Sequence, residues 1–176
     1  RRYRVEQVLP EMSGKSIDFV IDFAGYAIVP AYMIHQAELM PYELSLAAAF
    51  LILITSAIYY GKSGMISDDH YFVGFPVMWN AVAFYLIFIF DWPPATHAVL
   101  ILVLAALQFA PIKVPYPSRT KRWQAANIIF TVLFLLSVSG ALIYYPQENV
   151  VTYWGCVISL AYFTLFTLAA TFVYRD

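Results

Sequence analysis

Long apolar stretches separated by short polar segments make up most of this sequence. Six of them can be marked, at approximately 16–37, 42–60, 73–91, 95–112, 124–145 and 150–173. Each is close to the roughly 20 residues that an α-helix needs to cross a bilayer. Strand-like alternation does not persist, and only helices or closed barrels satisfy their own backbone in hydrocarbon. The pattern predicts an all-α integral membrane protein, with residues 1–176 forming a single domain of six transmembrane helices.

The composition indicates lipid rather than water as the surrounding solvent. Hydrophobic residues make up 62% of the chain and charged residues 12%, whereas about a quarter of a soluble domain is charged. The net charge of −1 provides no basic excess to suggest nucleic acid as a partner. The single cysteine, Cys156, cannot form an internal disulfide, and its apolar surroundings predict a buried, inert thiol.

The basic residues indicate an orientation. Lysine and arginine occupy positions 1, 2, 4, 15, 62, 113, 119, 121, 122 and 175. With six crossings, all ten fall on the same side, while the opposite loops near 38–41, 91–96 and 146–149 contain acidic residues and no lysine or arginine. Short loops rich in lysine and arginine face the cytoplasm. We therefore expect residues 1 and 176 to be cytoplasmic. Pro30, Pro76 and Pro111 each predict a kink or a helix boundary.

Two acidic residues lie inside the first apolar stretch, where ionisable groups are costly and indicate function. Asp18 and Asp22 are four residues apart, with Gly14 one turn earlier, so all three share a helix face. Two carboxylates this close repel each other unless a cation lies between them, and oxygen ligands suit Mg²⁺ or Mn²⁺. Gly14, with no side chain, would let a phosphate approach the backbone. The alternative is that one aspartate is protonated or paired with Lys15.

This arrangement resembles half of a known family motif. The CDP-alcohol phosphotransferase family contains D-x-x-D-G-x-x-A-R, a spacer, and then G-x-x-x-D-x-x-x-D. Gly14, Asp18 and Asp22 match the second half, and Arg1 resembles the arginine that closes the first. The spacer of twelve residues between Arg1 and Gly14 is longer than is usual in the family. That length, and the stretches 26–31, 68–80 and 115–122, are similar to the branch of the family that uses choline.

The resemblance implies a reaction and roles for these residues. Choline would attack the β-phosphorus of CDP-diacylglycerol, giving phosphatidylcholine and CMP. Asp18 would bind the metal, Mg²⁺ or Mn²⁺, and Asp22 would be the general base and a further metal ligand. Arg1, Gly14 and Arg119 would bind CDP-diacylglycerol. Lys113, Lys121 and Arg122 need no role beyond setting the topology.

Choline has a quaternary ammonium, which proteins bind with aromatic faces and a carboxylate. The candidate residues on the same side as the aspartate pair are Asp68, Asp69, Tyr71, Phe72 and Trp79. The alternatives are solvated loop acids, interfacial aromatics and, for Trp79, a helix-packing contact. Two other functions stay open at this point: the same reaction with serine, inositol or glycerol phosphate as acceptor, and a transporter with an intramembrane aspartate pair.

The first half of the motif, D-x-x-D-G-x-x-A, is absent from this sequence. The resemblance therefore implies about two more helices and two more metal ligands upstream of residue 1. We expect the 176-residue chain alone to be inactive. Related enzymes are bacterial inner-membrane proteins and form dimers, so the resemblance also implies that location and a homodimer among membrane lipids.

Overall fold

The computed structural model describes residue 9 and residues 11–174, and it is built almost entirely from helices. The six helices are α1 (Gly14–Gln36), α2 (Tyr42–Gly61), α3 (Trp79–Ile89), α4 (Pro94–Leu107), α5 (Gln124–Tyr144) and α6 (Val150–Phe172). Two short strands, β1 (Tyr71–Val73) and β2 (Lys113–Pro115), lie between them. The predicted all-α membrane fold is confirmed, since α1, α2, α5 and α6 are each long and apolar enough to cross a membrane.

Helix α1 begins with a side-chain cap and widens in its middle. The Ser13 hydroxyl accepts a hydrogen bond from the Ser16 backbone N–H at 3.2 Å, which satisfies one of the free donors of the first turn. The turn Ala24–Ile28 is a π-helix. Pro30 lies two residues after this turn and has no N–H to donate four residues back, which explains why the helical ladder is irregular here. Sequence reasoning predicted a kink or a boundary at Pro30; α1 changes there from π- to α-helical hydrogen bonding and continues to Gln36.

Helices α3 and α4 are shorter than the apolar stretches that contain them. The predicted bounds 73–91 and 95–112 are wrong, because α3 begins at Trp79 and α4 ends at Leu107. Before α3, Gly74 has φ of +90°, and a Cβ there would lie 2.1 Å from the Gln108 carbonyl oxygen. This left-handed, crowded position excludes a helix and requires glycine. Pro76 and Pro111 lie at these boundaries as predicted.

The two strands join loops that are far apart in sequence. They pair antiparallel, with Tyr71 opposite Pro115 and Val73 opposite Lys113. The Lys113 backbone N–H also donates to the Thr171 hydroxyl of α6 at 2.9 Å. The loop before α3, the loop after α4 and the end of α6 therefore meet at the same end of the molecule.

Contacts between helix ends show that the chain alternates between two ends. Phe19 near the start of α1 packs on Tyr60 near the end of α2, with ring centroids 5.1 Å apart. We call this end, which also contains β1 and β2, the basic end. At the opposite end, the His97 ring Nδ1 lies 3.1 Å from the Leu39 carbonyl oxygen. The predicted grouping of the basic loops therefore agrees with the structure.

The main core lies among α1 to α4. Its largest fully buried side chain is Trp79, whose indole N–H donates to the Ser56 hydroxyl at 3.0 Å. Helices α5 and α6 pack closely on each other, since a Cβ at Gly155 would lie 2.0 Å from the Ser137 hydroxyl oxygen. Their outward faces are apolar and exposed, as at Leu136 and Val151. Such faces suit contact with lipid.

Candidate active site

Asp18 and Asp22 occupy consecutive turns of α1 near the basic end. Four residues of helix separate them by about 6 Å along the axis, on one face. Asp18 is exposed and Asp22 is half-buried. The two carboxylates are close enough to interact electrostatically. No residue of Gly14–Phe23 is fully buried, so this part of α1 presents its carboxylates on an open face.

An aromatic cluster lies beside the aspartate pair. The Tyr60 ring packs edge-on against Phe19 and Phe23, with centroids 5.1 and 6.2 Å apart. Tyr60 is also within electrostatic reach of Asp22 and Asp18. Tyr60 is not among the residues predicted from the sequence, because a tyrosine at the end of an apolar stretch is typical of the membrane interface. The available signal was its predicted place at the same membrane face as the aspartates.

The aspartate pair has the chemistry of an incomplete metal site. Both donors are carboxylate oxygens, which Mg²⁺ and Mn²⁺ prefer. Within residue 9 and residues 11–174, no group of three or more His, Cys, Asp or Glu side chains is placed to hold a metal. In that same part of the chain, neither aspartate has an ion-pair partner within 4.0 Å, so the alternative pairing with Lys15 is not formed. The two carboxylates fit one half of a divalent-cation site.

The three residues predicted to bind CDP-diacylglycerol have different placements. Gly14 is the first residue of α1, one turn before Asp18 on the same face, and is half-buried. Arg119 is exposed in the loop after β2, with its guanidinium 4.9 Å from the Tyr116 ring centre. The third residue, Arg1, lies outside the described residues. Of the two that are described, Gly14 lies beside the aspartates, one turn before Asp18.

The structure brings together three of the five residues predicted to bind choline, while Phe72 stacks on Tyr116 with ring centroids 4.8 Å apart. Asp68, Asp69 and Tyr71 line one cavity at the basic end. Trp79 is instead fully buried in the core, in the helix-packing role that was the alternative. Tyr71 and Asp69 both lie next to Lys113, whose Nζ is 5.6 Å from the Tyr71 ring centre and 2.7 Å from an Asp69 oxygen.

The electrostatics of Asp69 follow from these contacts. Burial alone would raise the pKa of Asp69, but hydrogen bonds from Lys113 and Ser67 outweigh it and hold the pKa below its usual value. Asp69 and Lys113 therefore remain charged and paired near neutral pH. A cationic ligand at Asp69 would have to compete with Lys113 for the carboxylate.

Curated relatives of this chain share one name. The phosphatidylcholine synthase of Legionella bozemanae is 30% identical over 158 residues, which cover 86% of this chain and 72% of that protein. The phosphatidylcholine synthases of Rhizobium johnstonii and Agrobacterium fabrum are 39% and 38% identical, over 80% and 76% of this chain. The chain spans 57% and 55% of the length of these two proteins. No family model matches it. From the similarity to these relatives, the chain belongs to the phosphatidylcholine synthase family.

Proposed function

We propose that the complete protein transfers the phosphatidyl group of CDP-diacylglycerol to choline, giving phosphatidylcholine and CMP. This is the chemistry of a CDP-alcohol phosphotransferase. The observation that carries the proposal is the carboxylate pair Asp18 and Asp22 on one open face of α1 at the basic end. The relatives are named phosphatidylcholine synthases, which supports choline as the acceptor.

In this proposal, Asp22 is the general base. It accepts the proton of the choline hydroxyl as the oxygen bonds to the β-phosphorus, and the bond between that phosphorus and the CMP oxygen breaks. Asp18 and Asp22 would hold Mg²⁺ or Mn²⁺, which supplies charge neutralisation and polarises the phosphoryl oxygen. Gly14 leaves room for a phosphate at the start of α1. Arg1 and Arg119 are proposed to bind the pyrophosphate of the donor.

The size of choline limits where its ammonium can bind. Two carbons separate its hydroxyl oxygen from its nitrogen, so these atoms are only about 3–4 Å apart. If Asp22 takes the hydroxyl proton, the ammonium must also bind close to α1. Tyr60, Phe19 and Phe23 supply aromatic faces there, and such faces attract quaternary ammonium groups. We therefore propose Tyr60 as the principal contact of the ammonium, in preference to the cavity at Asp68 and Asp69.

The proposed location follows from the grouping of the basic loops. The basic end would face the cytoplasm of a bacterial inner membrane, where choline and the nucleotide are dissolved. The lipid tails of the donor would remain in the bilayer beside α1. The complete protein is proposed to act as a homodimer.

The test uses the complete protein in liposomes that contain CDP-diacylglycerol and Mn²⁺ or Mg²⁺. Labelled choline, serine, inositol and glycerol phosphate are supplied in separate reactions. We expect labelled phosphatidylcholine and an equal amount of CMP in the reaction with choline. We expect no labelled lipid in the reactions with the other three acceptors. Incorporation of another acceptor instead would contradict the choline assignment. Choline uptake into the liposomes without CMP release would favour the transporter alternative.

A further inference from the structure

A second potential site lies at the basic end and is lined by no residue of α1. It is a cavity of about 330 Å³ lined by Asp68, Asp69, His70, Tyr71, Lys113, Lys121, Arg122, Ala170 and Tyr174. The residues come from the loops that β1 and β2 join and from the end of α6. Helix α1 contributes none of them and packs mainly on α2 and α3. The cavity is therefore built separately from the site around Asp22.

The charges of this cavity favour an anion. Three of the lining residues are cationic and two are acidic, so the formal charge is +1 with His70 neutral. Lys113 and Asp69 neutralise each other at 2.7 Å. Lys121 and Arg122 then face one further acid, Asp68, and within the described part of the chain neither has a carboxylate within 4.0 Å. The remaining positive charge matches one phosphodiester.

The aromatic rings of the cavity are already next to cations. The Arg122 guanidinium lies 3.6 Å from the centre of the Tyr174 ring, and the Lys113 ammonium lies near the Tyr71 ring. These rings are thus poorly placed to receive a quaternary ammonium. Stacking on Tyr174 also fixes the orientation of the Arg122 guanidinium. The N–H donors at the edge of the guanidinium point away from the contact with the ring plane and can bind a phosphate in a bidentate manner.

The position of the cavity next to the start of an apolar helix favours a lipid rather than a free phosphate. Lys121 and Arg122 lie three and two residues before the start of α5, one of the long apolar helices. Trp123, between them and the helix, is 59% exposed, as expected for a residue at the lipid interface. Basic residues at this depth meet headgroups, and the exposed apolar faces of α5 and α6 continue below.

We propose that this cavity binds the phosphodiester headgroup of an anionic phospholipid, with Lys121 and Arg122 as the phosphate-binding residues. The acyl chains would lie along α5 and α6. The bound lipid is distinct from the donor and the product of the proposed reaction. This distinction rests on the proposed function, because phosphatidylcholine is zwitterionic, whereas the products of serine or inositol would be anionic.

The experiment measures lipid retention by the complete protein. Protein from nanodiscs with equal amounts of phosphatidylglycerol and phosphatidylethanolamine is analysed by native mass spectrometry. We expect preferential retention of phosphatidylglycerol, and a loss of that preference of about tenfold or more in the Lys121→Gln, Arg122→Gln double variant, because each basic residue contributes on the order of 1 kcal/mol. Lys62→Gln, an exposed lysine at the same end but outside the cavity, should retain phosphatidylglycerol like the wild type.

A variant that binds more lipid than the wild type provides a control, because misfolding would not increase binding. Asp68→Asn removes the acid that opposes the two cations, so it should increase phosphatidylglycerol retention. Unchanged retention in both the double variant and Asp68→Asn would overturn the proposal. Displacement of the lipid by millimolar inorganic phosphate would assign the cavity to a free anion instead. Displacement by an equal amount of CDP-diacylglycerol would make it part of the donor site, which also contradicts the proposal.

Discussion

At the scale of single residues, the proposed reaction depends on what surrounds Asp22. The sequence alone predicted the aspartate pair, because a four-residue spacing places two carboxylates on the same helix face. It could not predict that Tyr60 lies beside them, since this depends on how α2 packs against α1. Trp79 shows the same limit, because its hydrogen-bond partner Ser56 is 23 residues away in the chain. Local patterns do not encode such contacts.

Replacing Tyr60 tests the proposed ammonium contact. Tyr60→Leu should raise the KM for choline about tenfold, since a cation–π contact away from water contributes up to about 2 kcal/mol. The KM for CDP-diacylglycerol should change little. Tyr60→Phe keeps the ring and should behave like the wild type. Steady-state kinetics with choline and its neutral isostere 3,3-dimethylbutanol measure the effect; equal KM values for choline in the Leu and Phe variants would refute the contact.

The Asp69–Lys113 ion pair should give a small, pH-dependent contribution to stability. The side chains are 45% and 33% exposed, so we expect Asp69→Asn to cost at most about 1 kcal/mol near pH 7. The pKa of Asp69 is lowered in the fold. The stabilisation is therefore present above the unfolded pKa of about 3.9 and is lost as the pH falls through the lower folded value. Thermal unfolding in detergent should show wild type and variant converging in acid; a constant difference would contradict this.

At the scale of elements, long apolar helices were predictable and short strands were not. The ends of α1, α2, α5 and α6 lie within two residues of the apolar stretches that predicted them. The strands Tyr71–Val73 and Lys113–Pro115 have three residues each, which is too short to show an alternating pattern of polar and apolar residues. They pair with each other although they are about 40 residues apart in the chain. The same pairing shortens α3 and α4. Long-range pairing therefore determined the boundaries that the sequence pattern missed.

The packing of α5 against α6 gives a prediction at this scale. Gly155→Ala would place a Cβ 2.0 Å from the Ser137 hydroxyl oxygen and 3.1 Å from the Ser137 Cβ, so the Ser137 side chain must rotate and the helix contact must loosen slightly. We expect a loss of about 1–3 kcal/mol, as is typical of overpacking. Gly25→Ala in α1 is the matched control, because nothing lies within 4 Å of its added Cβ. Unfolding in detergent measures both, and similar stability of the two variants would show that the α5–α6 contact is not tight.

At the scale of the whole molecule, the chain alternates between a basic end and an opposite end. Contacts such as Phe88 with Tyr145, 5.5 Å between ring centroids, hold the opposite loops together. This agrees with the even number of crossings predicted from the basic residues. Which end faces the cytoplasm depends on membrane insertion, so it stays a prediction from the positive-inside rule.

Single cysteines test that orientation directly. Ser63 and Gln147 are exposed at the basic and opposite ends. In a background without other reactive thiols, Gln147→Cys should react with a membrane-impermeant maleimide from the periplasmic side. Ser63→Cys should react only after the membrane is opened. The reverse pattern would invert the orientation, and labelling of both from one side would contradict the crossing number.

We propose that the α1 carboxylates carry out the transfer of a phosphatidyl group to choline. CMP release from CDP-diacylglycerol by the complete protein, with and without choline, tests it most directly. We predict choline-dependent release in the wild type and at least a hundredfold loss in Asp22→Asn, because this change removes the general base. Tyr60→Phe, which leaves both carboxylates in place, should retain the activity. Choline-dependent CMP release that persists in Asp22→Asn would show that Asp22 is not the general base.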